Sequence, residues 1–413
     1  MAFRYFVESY GCTLNQGEGD QLSESMSKLG HVKVDSADDA EIVVLNTCTV
    51  VETTEKAMIQ RIVDLKGIGK EVIVTGCMAK AQPNRIRVRL PDSLIIHPLE
   101  YDSFEERVES RYGFSQSQES DIGNILPISQ GCMGSCTYCI TKFARGHLRS
   151  RTIEELTERF ERIVGSGVGE VLVTSQDAAC YGKDIGTDLP SLLGSMLKVK
   201  GGYRIRIGMM NPNALNGILD GLLDAMEDDR VYKFLHIPVQ SGSNEVLKGM
   251  GRGYTKEEFL SIISRIRGRF PDMSISTDVI VGFPGESDDD HRMTLDLLRT
   301  LKADTVNITR FSPRPGTEAS MMEMVHGRTV KERSGEITKV RNKIELDVNM
   351  EDIGRTFKVV VTEGGKDGTM IGRTSNYRPV AIATDSPLWS VLDVEIIDCK
   401  FSHLIGRVLN TRK

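Results

Sequence analysis

The sequence lacks a long apolar run, a basic leader and an excess of positive charge. No hydrophobic stretch approaches the roughly 20 residues that a membrane-spanning helix needs. The first residues, MAFRYFVESYG, have neither the basic region nor the long apolar stretch of a signal peptide. We therefore expect a cytoplasmic protein with no membrane partner. The formal net charge of −6 does not indicate a nucleic-acid-binding protein, although a local basic face would still serve.

The 413 residues are enough for two or three domains, and contents of 39 % hydrophobic and 27 % charged residues are typical of a globular chain. Eight cysteines in a cytosolic protein indicate metal binding or catalysis before disulfides. Two of them, Cys180 and Cys399, have no partners in the sequence pattern, and we interpret both as structural.

Three cysteines lie within eight residues of the segment SQGCMGSCTYCITK, residues 129–142. Cys132, Cys136 and Cys139 have the spacing C-x3-C-x2-C, and we call them the central triad. Iron–sulfur clusters usually take four cysteines, so a local group of three leaves one iron open to a non-protein ligand. The alternatives are a structural zinc site and a redox pair, but zinc motifs usually contain two pairs of ligands, and only His147 follows nearby.

This spacing, with Tyr138 just before the third cysteine, resembles the signature of the radical S-adenosylmethionine (SAM) enzymes. The resemblance implies that the open iron binds SAM. It also implies that an electron from the cluster cleaves SAM to a 5′-deoxyadenosyl radical. The motif predicts the chemistry and says nothing of the substrate.

The first hundred residues alternate strand-like and helix-like patterns, which predicts a small doubly wound parallel α/β domain. Strands are predicted at residues 3–9, 42–45 and 72–75, and helices at 16–29 and 53–65, with Thr53 or Thr54 as the cap of the second helix.

Each predicted strand runs into a cysteine: Cys12, Cys48 and Cys77, which we call the N-terminal triad. They are 36 and 29 residues apart, but parallel strands end at one edge of a sheet, so the three thiols would meet there and share a second cluster. Small neighbours (Gly11, Thr47, Gly76) would let the backbone approach it closely. The alternative is that all three are buried core cysteines.

Two further segments of this region have a predicted role. In QPNRIRVRL, residues 82–90, three arginines (Arg85, Arg87, Arg89) would share one face of an extended chain and contact phosphate, or else form a solvated surface. Residues 113–124 are rich in Gly, Ser and Gln and are predicted to be a linker.

From residue 125 onward, six strand–helix units predict a partial (β/α)6 barrel of parallel strands. The predicted strands are 125–129, 170–174, 203–207, 234–237, 274–281 and 305–311. The predicted helices are 153–164, 189–197, 214–226, 256–269 and 288–301. Polar or glycine-rich sequence follows four of the strands, and such a ring of loops would bind the parts of SAM. The candidate SAM-contacting residues are Gln176, Asp177, Gln240, Ser241 and Asp278.

Basic residues directly after the central triad (Lys142, Arg145, Arg149, Arg151) have no acidic residue among them. They fit a phosphate-bearing substrate, or they pair with the glutamates of the next helix.

The C-terminal region predicts a charged helix at 328–348 and then a small β-barrel of about 60 residues, because short strands there are separated by Gly, Asp and Pro. Arg373 and Arg378 flank Tyr377, and the bases of single-stranded RNA stack on such combinations of aromatic and cationic side chains. A generic barrel surface is the alternative.

The whole chain resembles the radical SAM methylthiotransferases through YGCTLNQG, NTCTV, GCMA and QGCMGSCTYCITKFARG, with a C-terminal segment that resembles an RNA-binding TRAM domain. Together with LHIPVQSGS, these motifs are similar to the archaeal and eukaryotic subgroup that converts N6-threonylcarbamoyladenosine at position 37 of tRNA to its 2-methylthio form.

The resemblance implies that the central triad holds the SAM-cleaving [4Fe–4S] cluster and that the N-terminal triad holds an auxiliary [4Fe–4S] cluster. It implies two SAM molecules, one giving the methyl group and the other the radical. It also implies tRNA as partner, with candidate RNA contacts at Lys142, Arg145, Arg373, Tyr377 and Arg378. It names no sulfur source, electron donor or oligomeric state.

The domains expected on this basis are a methylthiotransferase domain (1–112), a linker (113–124), a radical SAM partial barrel (125–327), a connector helix (328–349) and a TRAM-like domain (350–413). Two other functions share parts of the pattern. One is methylthiolation of an aspartate in a ribosomal protein, and the other is RNA binding by a non-catalytic iron–sulfur protein.

Overall fold

The computed structural model describes residues 2–118 and 122–409. The chain forms two compact units. The first contains the chain up to Arg151 together with Thr174–Gln176 and Ser312–Ser320, and the second contains Thr152–Val173, Asp177–Phe311 and the chain from Met321 onward.

The first unit contains a five-stranded parallel sheet in the order β2-β1-β3-β4-β5. Its strands are β1 (Arg4–Ser9), β2 (Val32–Lys33), β3 (Ile42–Thr47), β4 (Glu71–Gly76) and β5 (Leu94–Ile95). Its helices are α1 (Thr13–Lys28), α2 (Glu52–Gly67), α3 (Cys77–Ala81), α4 (Pro83–Arg87) and α5 (Phe104–Tyr112), with a 3-10 turn at Pro98–Ser103. Every residue of β3 is buried, as expected for a central parallel strand covered on both faces. The predicted doubly wound domain is confirmed.

One local prediction for this region was wrong, and the condition attached to another is not met. Helix α2 begins at Glu52 with Val51 as its cap, and no side chain caps it, so Thr53 and Thr54 lie inside the first turn. The segment after Cys77 is helical and not extended, because Pro83 occupies the first turn of α4, where its missing N–H and fixed φ favour a helix. The three arginines of that segment therefore do not form the alternating face of a strand.

The first unit continues with four short elements around the central triad. They are β6 (Ile125–Pro127), β7 (Ser129–Gln130), α6 (Thr141–Arg145) and β8 (Arg149–Ser150). Strands β7 and β8 pair antiparallel. The cysteine loop therefore begins and ends at the same two-stranded ribbon. The predicted linker lies partly outside the described residues, at 119–121. Residues 113–118 have no helix or strand, and the amides of Ser115 and Gln118 donate to the carbonyls of Leu29 and Ser27.

The second unit contains parallel strands with helices between them. The strands are β9 (Glu170–Thr174), β10 (Arg204–Ile207), β11 (Phe234–His236), β12 (Ser274–Val281) and β13 (Thr305–Arg310). The helices are α7 (Ile153–Gly165), α8 (Leu189–Met196), α9 (Pro212–Asn216), α10 (Leu219–Ala225), α11 (Asn244–Gly249), α12 (Lys256–Arg269) and α13 (Asp288–Leu301), with a 3-10 turn at Ala178–Cys180. Strand β9 pairs with β10, and β12 pairs with both β11 and β13, while a bridge from Ile205 to Val231 links the two groups. The predicted alternation is confirmed, except that the helix predicted at 214–226 is two helices and the short α11 was missed.

The same unit ends in α14 (Gly327–Met350) and a closed five-stranded barrel in the order β14-β15-β16-β18-β17. The barrel strands are β14 (Thr356–Gly364), β15 (Thr369–Arg373), β16 (Pro379–Ala383), β17 (Val391–Lys400) and β18 (His403–Val408). Two glycines allow its core to close. A Cβ on Gly372 would lie 2.3 Å from Val359 Cγ1, and one on Gly406 would lie 2.3 Å from Val394 Cγ1. The predicted small β-barrel is confirmed. Within the described residues, no helix is long and apolar enough to cross a membrane.

Candidate iron–sulfur site

The N-terminal triad lies at one edge of the five-stranded sheet. Cys12 caps the start of α1, just beyond β1, while Cys48 directly follows β3 and Cys77 directly follows β4. Strands β1, β3 and β4 are parallel neighbours, so their carboxyl ends place the three cysteines at one edge of the sheet. Cys48 and Cys77 are 6 % and 5 % exposed, whereas Cys12 is exposed. Burial raises the pKa of the Cys48 thiol and raises that of Cys77 to about 11.

Two glycines allow close packing of the backbone near these thiols. Gly11 has a φ of +101°, and a Cβ there would lie 2.8 Å from Cys48 Cβ and 2.9 Å from its Sγ. Gly76 has a φ of +82°, and a Cβ there would lie 2.2 Å from the Thr47 carbonyl oxygen. Side chains would therefore be both strained and in collision at these positions. The two glycines therefore let the segments that carry the cysteines pack closely against one another.

The central triad occupies the loop between β7 and α6, in the same unit. The Gly134 amide donates to Cys132 Sγ at 3.2 Å, and the Cys139 amide donates to the Cys136 carbonyl at 3.2 Å. A Cβ on Gly134 would lie 3.3 Å from Cys132 Sγ and 3.9 Å from Cys136 Sγ. Two sulfurs thus converge on a backbone with no side chain between them. All three cysteines are partly exposed.

Each triad consists of three thiols. In the part of the chain that the structure describes, no three His, Cys, Asp or Glu side chains are placed to hold one metal ion. The donor set in each triad is three thiols, and thiolates are the ligands of iron–sulfur clusters, whose several irons separate the cysteines. Three thiols are a donor set that fits an iron–sulfur cluster.

Arg145 was predicted as an RNA contact, but its side chain is 1 % exposed and bonds to protein groups. Its Nε donates to Cys77 Sγ at 3.3 Å, and its other nitrogens donate to the Glu18 carboxylate and the Asn15 side-chain oxygen. Burial acts to lower the pKa of Arg145, but Cys77 and Glu18 together raise it well above its ordinary value. The arginine is therefore a buried cation beside the N-terminal triad.

The segment Ser312–Ser320 also contacts both cysteine loops, which the sequence pattern did not predict. Arg314 is 5 % exposed and donates to the Thr49 carbonyl at 3.3 Å and to the Glu55 carboxylate at 2.8 Å. The Ala319 amide donates to the Thr137 carbonyl at 2.9 Å. One segment thereby supports the residue after Cys48 and the residue after Cys136. The sequence RFSPRPGT, residues 310–317, is one of the four strand-end segments expected to surround SAM, but its contacts with the cysteine loops depend on distant parts of the chain.

Several buried polar atoms next to the central triad have no hydrogen-bond partner among the described residues. They are Ser129 Oγ, Gln130 Nε2, Ser175 Oγ and Gln176 Oε1. The amide of Ile128 donates to the Thr174 carbonyl at 2.9 Å, so the two short segments that carry these atoms are adjacent. Unsatisfied buried polar groups are costly. The arrangement fits a polar ligand, and it includes Gln176 of the predicted SAM-contacting set.

The other predicted SAM contacts lie in the second unit. Asp177 is 4 % exposed and accepts from the amides of Ala179 and Asn211 at 3.2 and 3.0 Å, and burial raises its pKa. Asp278 accepts from His236 at 2.9 Å and from Asn307 at 2.8 Å. These carboxylates are held in place by neighbouring residues.

Gln240 and Ser241 lie between β11 and α11, and Gln240 forms a parallel bridge with Val279. Gln240 has a φ of +72°, and its backbone N–H donates to the backbone carbonyl of Asp278 at 2.8 Å. Ser241 is 1 % exposed and lies 3.3 Å from the Thr294 hydroxyl. A left-handed conformation in a residue other than glycine is uncommon outside constrained sites. The SAM-binding role of these residues stays a prediction.

The predicted RNA-contacting residues are placed differently from one another. Lys142 is exposed on α6. Tyr377 packs its ring against Tyr232 and Phe234, with the Arg373 guanidinium 4.7 Å above it. Arg378 pairs with Asp304 and Asp352, both at 2.6 Å. The described contacts of Tyr377 and Arg378 are thus within the protein, and their RNA-binding role stays a prediction.

Comparison with protein families gives three matches along the chain. Residues 4–96 match the Uncharacterized protein family UPF0004, residues 126–298 match the Radical SAM superfamily, and residues 351–409 match the TRAM domain.

Similar proteins cover nearly the whole chain. A probable threonylcarbamoyladenosine tRNA methylthiotransferase of Pyrococcus abyssi is 37 % identical over 98 % of this chain and 100 % of its own length. One of Archaeoglobus fulgidus is 38 % identical over 98 % of each chain. The threonylcarbamoyladenosine tRNA methylthiotransferase of Xenopus laevis is 32 % identical over 98 % of this chain and 77 % of its own.

Solved structures show the same fold at low identity. The radical S-adenosylmethionine methyltransferase TsrM of Kitasatospora setae, with cobalamin and a [4Fe–4S] cluster bound, has a TM-score of 0.58 at 12 % identity and covers 78 % of this chain and 77 % of its own. The cobalamin-dependent S-adenosylmethionine radical enzyme OxsB has a TM-score of 0.53 at 13 % identity and covers 83 % of this chain and 56 % of its own. At this identity the likeness concerns the fold alone.

Proposed function

Because the chain belongs to the threonylcarbamoyladenosine tRNA methylthiotransferase family, we propose that it adds a methylthio group to C2 of N6-threonylcarbamoyladenosine at position 37 of tRNA. The observation that carries the proposal is the presence of two cysteine triads in one compact unit. Radical generation needs one cluster, and sulfur insertion gives a reason for a second. A tRNA substrate agrees with the cytoplasmic location expected from the sequence.

The central triad would hold the SAM-cleaving cluster through three thiolates, and residues 129–142 contain no fourth cysteine. When bound, this cluster supplies the electron that cleaves SAM to a 5′-deoxyadenosyl radical. The Gly134 amide would donate to the Cys132 thiolate, which stabilises the deprotonated sulfur. The partnerless carbonyl oxygen of Gln176 would accept a hydrogen bond from SAM. In the second unit, Asp177, Gln240, Ser241 and Asp278 are proposed SAM contacts on the sequence pattern alone.

The N-terminal triad would hold the auxiliary [4Fe–4S] cluster, which in this family supplies the methylated sulfur. Cys48 and Cys77 are buried, so their thiolates need a compensating charge, and Arg145 lies next to Cys77. Gly11 lets the backbone before Cys12 pack directly against Cys48. The count of two clusters per chain is part of the proposal.

The β-barrel would bind tRNA, with Arg373 as a phosphate or base contact beside the Tyr377 ring and Lys142 as a contact near the reacting base. The substitution Arg373→Gln should weaken tRNA binding and reduce the slope of log affinity against log salt by about one. Filter binding over a salt series measures both. The matched control is Arg299→Gln, which removes an exposed arginine from α13. Equal affinities and slopes for the two variants would exclude Arg373 from the interface.

The proposed function is tested on the nucleosides of cellular tRNA. A strain without this gene should lose the 2-methylthio derivative and retain threonylcarbamoyladenosine, as measured by mass spectrometry of digested tRNA. The wild-type gene should restore the derivative, and the Cys132→Ala gene should not. An unchanged nucleoside profile in the deletion strain would contradict the proposal. No observation favours an aspartate of a ribosomal protein or a non-catalytic role.

A further inference from the structure

Arg145 connects the cysteine loop of the central triad with the N-terminal triad. It is the last residue of α6 and follows Cys139 by six positions. Its guanidinium is buried, and Nε lies 3.3 Å from Cys77 Sγ. A helix that begins beside one triad therefore ends with a cation at the other.

The guanidinium is fixed by groups that also fix the backbone around the N-terminal cysteines. Glu18 and Asn15, both on α1, accept from its two terminal nitrogens. The side-chain Nδ2 of Asn15 in turn donates to the backbone carbonyls of Tyr10 at 2.7 Å and Thr47 at 3.1 Å. Tyr10 lies two residues before Cys12, and Thr47 directly precedes Cys48. One buried network thus touches the surroundings of Cys12 and Cys48 and the sulfur of Cys77 itself.

The residue after Arg145 serves the central triad. The Gly146 carbonyl accepts from the Cys132 amide at 3.3 Å, and Gly146 has a φ of +72°, which favours glycine. Arg145 and Gly146 are neighbours, so the placement of the guanidinium and that of the Cys132 backbone are linked. An RNA contact would not require burial of the arginine, and a purely structural ion pair would not require the contact with sulfur.

We propose that Arg145 is a positioning residue that raises the reduction potential of the N-terminal cluster through its hydrogen bond and charge at the Cys77 sulfur. The proposal rests on the auxiliary cluster of the proposed function. Hydrogen bonds and positive charge at a cluster sulfur stabilise the reduced, more negative state. Glu18 acts in the opposite direction, because its negative charge partly cancels the arginine.

The test isolates the N-terminal cluster in the full chain. Replacing Cys132, Cys136 and Cys139 by Ala leaves one cluster, and its midpoint potential is then measured by redox titration followed by electron paramagnetic resonance. In this background, Arg145→Gln should shift the midpoint to a lower potential, Arg145→Lys should shift it less, and Glu18→Gln should shift it to a higher potential. The control is Arg149→Gln, an exposed arginine paired with Asp102, which should leave the midpoint unchanged because solvent screens its charge.

Opposite shifts for Arg145→Gln and Glu18→Gln support the proposal, because general loosening of the site would move both in the same direction. Shifts of the same sign, or no shift in Arg145→Gln, overturn it. If neither Arg145 variant takes up iron while Glu18→Gln does, the arginine serves cluster assembly, and the tuning role is wrong. If the variant with only Cys132, Cys136 and Cys139 replaced binds no iron, the N-terminal cluster itself is wrong. Iron content and midpoint potential are measured without tRNA. A wrong substrate assignment can therefore be distinguished from a wrong role of Arg145.

Discussion

The N-terminal triad and the central triad contain three cysteines each, but they are assembled differently. Cys12, Cys48 and Cys77 come from the ends of three parallel strands and meet only when the sheet has folded. Cys132, Cys136 and Cys139 lie within one loop held between β7 and α6. The first set includes two buried thiols beside a buried cation, and the second set is partly exposed. The cysteines of the N-terminal triad therefore meet only through tertiary structure, whereas those of the central triad come from one local segment and are partly exposed.

The largest expected effect separates the two sites by removing one ligand of the central triad. Cys132→Ala should abolish formation of 5′-deoxyadenosine from SAM and lower the reconstituted iron from about eight to about four atoms per chain. Iron analysis and chromatography of the SAM products measure the two effects. Surviving SAM cleavage would contradict the role of Cys132, and loss of all iron would contradict the independence of the two sites.

A smaller effect is expected when the space beside the N-terminal triad is filled. Gly11→Ala places a Cβ 2.8 Å from Cys48 Cβ, in a backbone conformation that costs about 1 kcal/mol or more for alanine. We expect loss of the N-terminal cluster with SAM cleavage retained, measured by iron content and 5′-deoxyadenosine yield. Gly69→Ala is the matched control, since Gly69 has a φ of +71° and a Cβ there would meet no atom within 4 Å. It should lose stability without losing iron, and full iron in Gly11→Ala would refute the close fit.

The smallest effect is expected from the corresponding change in the central loop. Gly134→Ala places a Cβ 3.3 Å from Cys132 Sγ, a contact that a shift of a few tenths of an ångström relieves, and the φ of Gly134 is not positive. The central cluster should be retained, with SAM cleavage reduced by less than about tenfold. The rate of 5′-deoxyadenosine formation tests this. Loss of the central cluster would show that its loop is as tightly constrained as the N-terminal site.

Much of the fold could be predicted because its elements are strongly periodic and its cysteines follow strand ends. The boundaries of β9, β12, α12 and α13 were predicted to the residue. The gathering of Cys12, Cys48 and Cys77 followed from the rule that parallel strands end at one edge.

The contacts that complete the site could not be predicted in the same way. Arg145 stands in a basic stretch that resembles a phosphate-binding loop, and only the fold shows that Glu18 and Asn15, more than a hundred residues earlier, enclose it. Arg314 stands in a segment expected to surround SAM, yet it bonds to Glu55 across 259 positions. Such contacts depend on which faces pack together, and neither periodicity nor residue spacing carries that information.

The separate roles of the two triads are tested most directly in one reaction. The variant Cys12→Ala/Cys48→Ala/Cys77→Ala is reduced and mixed with SAM and with tRNA that carries N6-threonylcarbamoyladenosine, and both products are quantified. We predict that 5′-deoxyadenosine still forms and that no 2-methylthio nucleoside appears. A 2-methylthio yield equal to that of the wild-type protein would contradict the account, because methylthiolation would then proceed without the N-terminal cluster.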